Sequence, residues 1–247
     1  MLERISLLLP TRQRPKELLR LAQSAVDTAT FSSRLELVTY IDNDDDSYDD
    51  LDLPIFWRAL HGPRLHNGAV NLSVKWNECW RRASGGIFMH CGDDIVFRTA
   101  GWDDAVRRSL NVRPGKIGLV WCDDFSGLDT TPGFGTHSFI HRNWTNVTGR
   151  FVPPYFVSDY NDTWLNEVAL ALNVQTFLPH HVTEHMHHNF GKAELDDNTL
   201  ERLARHEEQR PEDIYKNTAC ERREEVAKLS AYIARMQVAT APQCTSG

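Results

Sequence analysis

Acidic residues in this sequence come in tight groups, with arginines set close together upstream of them. Asp42, Asp44, Asp45 and Asp46 form one group, Asp93 and Asp94 a second, and Asp123 and Asp124 a third. Pro10-Thr11-Arg12-Gln13-Arg14 places two guanidinium groups on one short segment. Guanidinium groups match phosphate oxygens, and hard carboxylates can hold Mg2+ or Mn2+ between protein and phosphate. The parts of a phosphate–metal site are therefore present. A late histidine run, His180-His181-Val182-Thr183-Glu184-His185-Met186-His187-His188, adds imidazoles. On a strand, His185 and His187 share one face.

These residues matter together only if the fold gathers them. Ile5-Ser6-Leu7-Leu8-Leu9 reads as a buried strand closed by Pro10, and Pro15 to about Ala29 carries apolar residues at helical spacing. Leu35 to Ile41 is a second strand running into the acidic loop, and Ile55-Phe56-Trp57 a short third. A helix from about Val70 to Ala83 precedes the strand Ile87 to His90. The helix Ala100 to Leu110 precedes the strand Ile117 to Trp121. This alternation indicates an α/β fold with a mostly parallel central sheet flanked by helices. Such sheets bind ligands outside the carboxyl ends of their strands, where the Arg12, Asp42, Asp93 and Asp123 segments all fall. Downstream, Ser126 to Gly135 reads as a mobile loop and Thr136 to His141 as a strand. Asp162 to Leu172 reads as a helix, with closing strands at Val174 to Leu178 and Val182 to His187.

Composition narrows the class further. The 247 residues, 41% hydrophobic and 25% charged, suit one sizeable globular domain with a helical tail. A net charge of −7 argues against a dedicated nucleic-acid binder. Five scattered cysteines without a CxxC pair suggest reduced thiols. Met1-Leu2-Glu3-Arg4 lacks the features of a signal peptide, and no apolar run approaches a bilayer's span. The expectation is a cytoplasmic protein with no membrane anchor.

The order of these features resembles the family-2-like glycosyltransferases of the GT-A (Rossmann-like) fold, and more narrowly the short bacteriophage and bacterial versions. The resemblance rests on strand-Pro-Thr-Arg, strand-Asp, the helix with Lys75-Trp76-Asn77 and Ala83-Ser84-Gly85, then strand-Asp93-Asp94. Thr99-Ala100-Gly101-Trp102-Asp103 and the late histidines before Gly191-Lys192 complete it. It covers Ile5 to Lys192. The implied organisation is a GT-A domain over residues 1–192, a C-terminal helical extension over 193–238 and a disordered tail over 239–247.

The resemblance implies a metal-dependent, inverting transfer of a hexosyl or pentosyl group from a nucleotide-diphosphate donor, a UDP-sugar being favoured, to an acceptor hydroxyl. Pro10, Thr11, Arg12 and Arg14 would approach the nucleotide, and Asp42 would hydrogen-bond the base. Asp44 would touch the base or ribose, Lys75 and Asn77 would face the donor, and Lys192 would reach the diphosphate. Asp93 and Asp94 match the metal-binding motif for Mn2+ or Mg2+, Asp93 as the principal carboxylate, helped by Asp94 or by a histidine, His187 slightly favoured over His185. Asp162 would be the base that deprotonates the acceptor, with Asp159 in reserve. One departure stands out: Cys91 occupies the motif's first acidic position, and a thiol is a poor ligand for these hard cations.

Other readings were weighed against this one. Asp42-x-Asp44-x-Asp46 opens like a calcium loop, but Ser47 and Leu53 stand where that loop needs glycine and glutamate. The acceptor could be a hydroxymethylated base in phage DNA. A sugar-nucleotide pyrophosphorylase would need glycines after the first strand, and Pro10 to Arg14 has none. A degenerate nucleotide-binding module is the reading that Cys91 favours.

Overall fold

The computed structural model describes residues 2–125, 133–188 and 191–240. The chain opens with β1 (Ile5–Thr11), α1 (Pro15–Thr28), β2 (Leu35–Asp42) and β3 (Trp57–Gly62). It continues through α2 (Leu72–Arg82), β4 (Ile87–His90), β5 (Ile95–Phe97) and α3 (Trp102–Asn111). Next come β6 (Leu119–Asp123), β7 (Ser138–His141), α4 (Arg142–Thr148), α5 (Asn161–Ala171) and β8 (Gln175–His185). Three helices close it: α6 (Asp197–Gln209), α7 (Pro211–Asn217) and α8 (Ala219–Thr240).

The strands form one sheet in the order β3-β2-β1-β4-β7-β6-β8-β5. β1 to β4 pair in parallel, as does β6 with β8, while β7 and β5 run antiparallel to their neighbours. Helices cover both faces. Alternation along β1 sends Ile5, Leu7 and Leu9 into one layer with Leu18, Leu21 and Ala22 of α1 and Trp102 of α3. Leu8 points to the other layer, against Trp76, Trp144 and Trp164. These tryptophans are therefore core, although Trp76 also borders the cavity described below.

Two groups of residues shared with the glycosyltransferase pattern serve the framework. Glu36, fully buried in β2, accepts hydrogen bonds from Ser6 Oγ at 2.6 Å, Ser84 Oγ at 2.6 Å and Gly85 N at 3.2 Å. A Cβ at Gly85 would collide with Ser6 Oγ and lie 2.8 Å from the Arg4 carbonyl, so the position requires glycine. Asp103, also buried, accepts from Thr30 N at 2.7 Å and Phe31 N at 3.0 Å, and pairs with Arg107. It ties the start of α3 to the end of α1.

Some element boundaries differ from the sequence reading. The third strand begins at Trp57 rather than Ile55, because the segment lies at the sheet edge and exposes Phe56. The two closing strands are one, β8. Pro179 cannot donate to a ladder, and a register shift opposite Cys122 and Asp123 carries residues 179–181 past β6. β5 and α4 gave too short a periodic signal to read. Most of the loop expected at Ser126 to Gly135 lies outside the described residues. So does the tail beyond Thr240, while Ala239 and Thr240 end α8.

Candidate active site

The carboxyl ends of β1, β2 and β4 meet, and their side chains interlock. Thr11 Oγ1 donates to Asp93 Oδ2 at 2.7 Å and touches the Tyr48 hydroxyl at 2.7 Å. Arg14 donates to Asp93 Oδ1 at 3.0 Å and grips both oxygens of Asp196 at 2.7 Å. Arg12 forks onto Asp44 at 2.7 and 3.0 Å and reaches Asp42 at 3.4 Å. The Lys75 ammonium, which burial pulls below its ordinary range, sits on Asp42. Asp45 accepts from Gln13 N at 2.7 Å. The acidic loop is thus a partner for the Pro10–Arg14 turn, and its carboxylates meet cations and backbone amides instead of converging as a calcium site would.

Asp93 and Asp94 diverge despite being neighbours. Burial raises Asp93 to about 6 even against Arg14 and Thr11. Burial acts on Asp94 in the same sense, but the His185 hydrogen bond and the charges of His185, His137 and Arg14 prevail and hold its carboxyl well below the usual range. Nε2 of His185 lies 3.1 Å from Asp94 Oδ2, and the His137 ring meets the His185 ring edge-on at 4.8 Å. One ligand atom each from Asp94, His137 and His185 falls within 4.8 Å of the others, and no other group of three or more such ligands occurs among the described residues. Neither ring nitrogen of His137 has a hydrogen-bond partner, although the residue is only 8% exposed. Buried imidazole nitrogens are normally satisfied, and burial pushes this ring down to about 3, keeping it neutral and able to ligate.

One carboxylate with two imidazoles suits a divalent transition ion. Gly92 permits the cluster, since a Cβ there would lie 2.5 Å from Asp94 Oδ1 and 3.1 Å from His137 Cε1. Cys91 is fully buried with its thiol pushed up by desolvation, so it stays protonated beside the site. His187 stacks 5.0 Å from His185, beyond the end of β8, and stands outside the three-ligand group.

A cavity of about 230 Å3 opens over these strand ends. Pro10, Thr11, Arg12, Arg14, Asp42, Lys75, Asp93, Asp94 and His187 line it, so the structure brings most of the sequence-derived candidates together. Asn77 is not among them. Its amide donates to the Ser73 and Val152 carbonyls and accepts from Phe151 N, which corrects its expected place facing a donor: it pins a loop inside the core. Lys192 is likewise outside, held by Glu184 at 2.9 Å and the Phe125 carbonyl at 2.8 Å.

Asp159 and Asp162 do not line this cavity but differ sharply. Asp159 pairs with Arg202 at 2.7 Å and His206 Nδ1 at 2.6 Å. Among the described residues Asp162 accepts only from Thr163, at 2.8 Å from its N–H and 3.4 Å from its hydroxyl, and burial raises its carboxyl to about 6. The opposite wall of the cavity was missed from the sequence. Asn198, Thr199, Glu201, Arg202 and Arg205 of α6 supply it, with Arg64 beside them. His137 was missed too, its only signal being its place in the Thr136 to His141 segment readable as a strand.

No family model and no curated protein matches the sequence. Solved structures do match the fold. The mannosyltransferase PcManGT from Pyrobaculum calidifontis, in complex with GDP-Man and Mn2+, aligns at TM-score 0.55 and 12% identity, over 98% of this chain and 77% of its own. S. aureus TarS 1-349 in complex with UDP-GlcNAc aligns at TM-score 0.54 and 11% identity, over 81% of this chain and 64% of its own. This chain therefore spans just under two thirds of that TarS structure. The fold is GT-A. In this GT-A chain the cavity lies at the strand ends where an open α/β sheet takes its ligands.

Proposed function

We propose that this chain is an inverting glycosyltransferase that moves a sugar from a nucleotide diphosphate, a UDP-sugar, to an acceptor hydroxyl. The observation that carries the reading is the convergence of Asp94, His137 and His185 at the edge of a cavity walled by arginines. The fold match to structures holding GDP-Man with Mn2+ and UDP-GlcNAc supports it. Asp94, His185 and His137 would hold a divalent cation, Mn2+ rather than Mg2+ given the imidazoles. When bound, the ion neutralises charge on the departing diphosphate. Thr11 and Arg14 hold Asp93 beside that site, and Lys75 and Arg12 fix Asp42 where it can accept a hydrogen bond from a base.

Asp162 is the base. A carboxyl raised to about 6, with no cation on it, can take the acceptor's proton at neutral pH more readily than Asp159, whose oxygens are committed to Arg202 and His206. The acceptor oxygen then attacks the anomeric carbon opposite the leaving diphosphate, inverting the centre. Cys91 does not reduce the site to a binding module, because His137 and His185 supply ligands that the thiol cannot.

A thermal-shift panel of UDP, GDP and their sugars, each with and without Mn2+, tests the reading. UDP and UDP-sugars should raise the melting temperature in a Mn2+-dependent way, since a ligand that binds only the folded state stabilises it. A larger response to GDP compounds would move the donor to guanosine, and no response to any nucleotide would overturn the reading.

A further inference from the structure

α6 lies beyond the Ile5 to Lys192 stretch whose sequence motifs resemble the glycosyltransferases, yet it is strapped across the cavity. Asp196, its N-cap, is held by Arg14, and Asn198 donates to the Arg12 carbonyl at 2.7 Å. Farther along, Arg202 pairs with Asp159, and Arg64, beside α6, pairs with Glu201. These ties leave the charges unevenly shared. On the strand-end side Arg12, Arg14 and Lys75 each face a carboxylate. On the α6 side Arg64 and Arg205 share a single one, Glu201, which Arg205 reaches only at 3.4 Å.

Arg205 is also three-quarters buried, with 22% of its side chain exposed, and its Nε is buried with no hydrogen-bond partner. Burial pulls its guanidinium below the ordinary range, the signature of a cation whose neighbours do not offset its desolvation. A cation with a spare donor at a cavity wall is arranged for an anion that enters from solvent.

We propose that Arg205 and Arg64, released from Glu201, clamp the diphosphate of the donor, so that α6 completes the donor site. The inference rests on the nucleotide-donor reading above. Before donor binds, Glu201 occupies both guanidinium groups. The diphosphate displaces it and gains two charge-assisted contacts that do not pass through the metal ligands. Affinity for the diphosphate group should therefore persist without a divalent ion, weaken with salt and depend on α6.

Calorimetry with inorganic pyrophosphate, UDP, GDP and the bare nucleosides, run once in EDTA and once with Mn2+, tests it on the full chain. Arg205→Met keeps the apolar stem and should weaken pyrophosphate and nucleoside-diphosphate binding about tenfold, with nucleoside affinity unchanged. Glu201→Gln removes the internal competitor and should tighten diphosphate binding several-fold, a gain that misfolding cannot imitate. If both variants bind diphosphates like the parent, the clamp is wrong while the donor reading stands. If pyrophosphate responds to both variants but no nucleoside diphosphate binds with or without Mn2+, the clamp stands as an anion site and the donor reading falls. A parent that binds no diphosphate under any condition overturns both.

Discussion

The turn after β4 and the segment that enters α5 each carry two carboxylates, and in each the arginines have taken one. In the first, Arg14 and Thr11 hold Asp93, while Asp94 faces two histidines. In the second, Arg202 and His206 hold Asp159, while Asp162 has no cationic partner among the described residues. Asp94 ends far below the usual carboxylate range and Asp162 at about 6, though burial acts on both in the same direction. Neighbours, not burial, separate them: a carboxylate among imidazoles stays charged for a cation, and one buried near a second carboxylate stays ready for a proton. The arginine-bound member of each pair is a brace, and both braces lead to α6, through Arg14–Asp196 and through Arg202.

The comparison breaks most visibly at the second turn. Asp162→Asn should lower turnover by about a hundredfold to ten-thousandfold while donor affinity holds, the loss expected of a general base. Asp159→Asn should cost far less. Parent turnover should rise with pH through about 6, as Asp162 loses its proton. Steady-state rates with the acceptor across pH 5 to 8, at roughly half-unit steps, check this, and a collapse in Asp159→Asn with Asp162→Asn near normal would exchange the two roles.

At the first turn the expected contrast is in metal affinity. Asp94→Asn should weaken Mn2+ binding by more than about a hundredfold, beyond what changes behind a ligand usually cost. Asp93→Asn, acting only through its neighbours, should weaken it less than about tenfold. Mn2+ titration followed by electron paramagnetic resonance separates them, and the opposite ranking would make Asp93 the ligand.

The smallest effect is on stability, and its sign is the test. Folded Asp162 keeps its proton to about pH 6, whereas an unfolded aspartate releases it near pH 4. The folded state binds more protons in that window, so stability falls as pH rises through it. Asp162→Asn removes the penalty and should stabilise the protein at pH 7 by up to about 3 kcal/mol, with no gain below about pH 4. Asp159→Asn breaks partly exposed pairs and should destabilise by about 1 kcal/mol or less. Urea melts at pH 4 and 7 measure both, and a loss of stability in Asp162→Asn at pH 7 would contradict its unpaired state.

Much of this arrangement was determined by the sequence alone. Runs such as Ile5 to Leu9 and Leu35 to Ile41 are mostly apolar because both faces of the sheet are covered, so their strands announce themselves locally. The Arg12, Asp42 and Asp93 segments follow those strands directly, and their meeting follows from parallel pairing. What the tertiary structure decided depends on contacts between distant residues. β5 has only three residues and exists because Thr183 to His185 pair with it. His137 reaches Asp94 across a long separation in sequence, and Asn77 turns inward because the Phe151–Val152 backbone needs its amide. α6 reads as an ordinary charged helix, since nothing in its periodicity shows which arginine will meet a carboxylate. Period and composition report what a residue does to its own segment. Whether a side chain ends as brace, ligand or base is set by the charge the fold places opposite it.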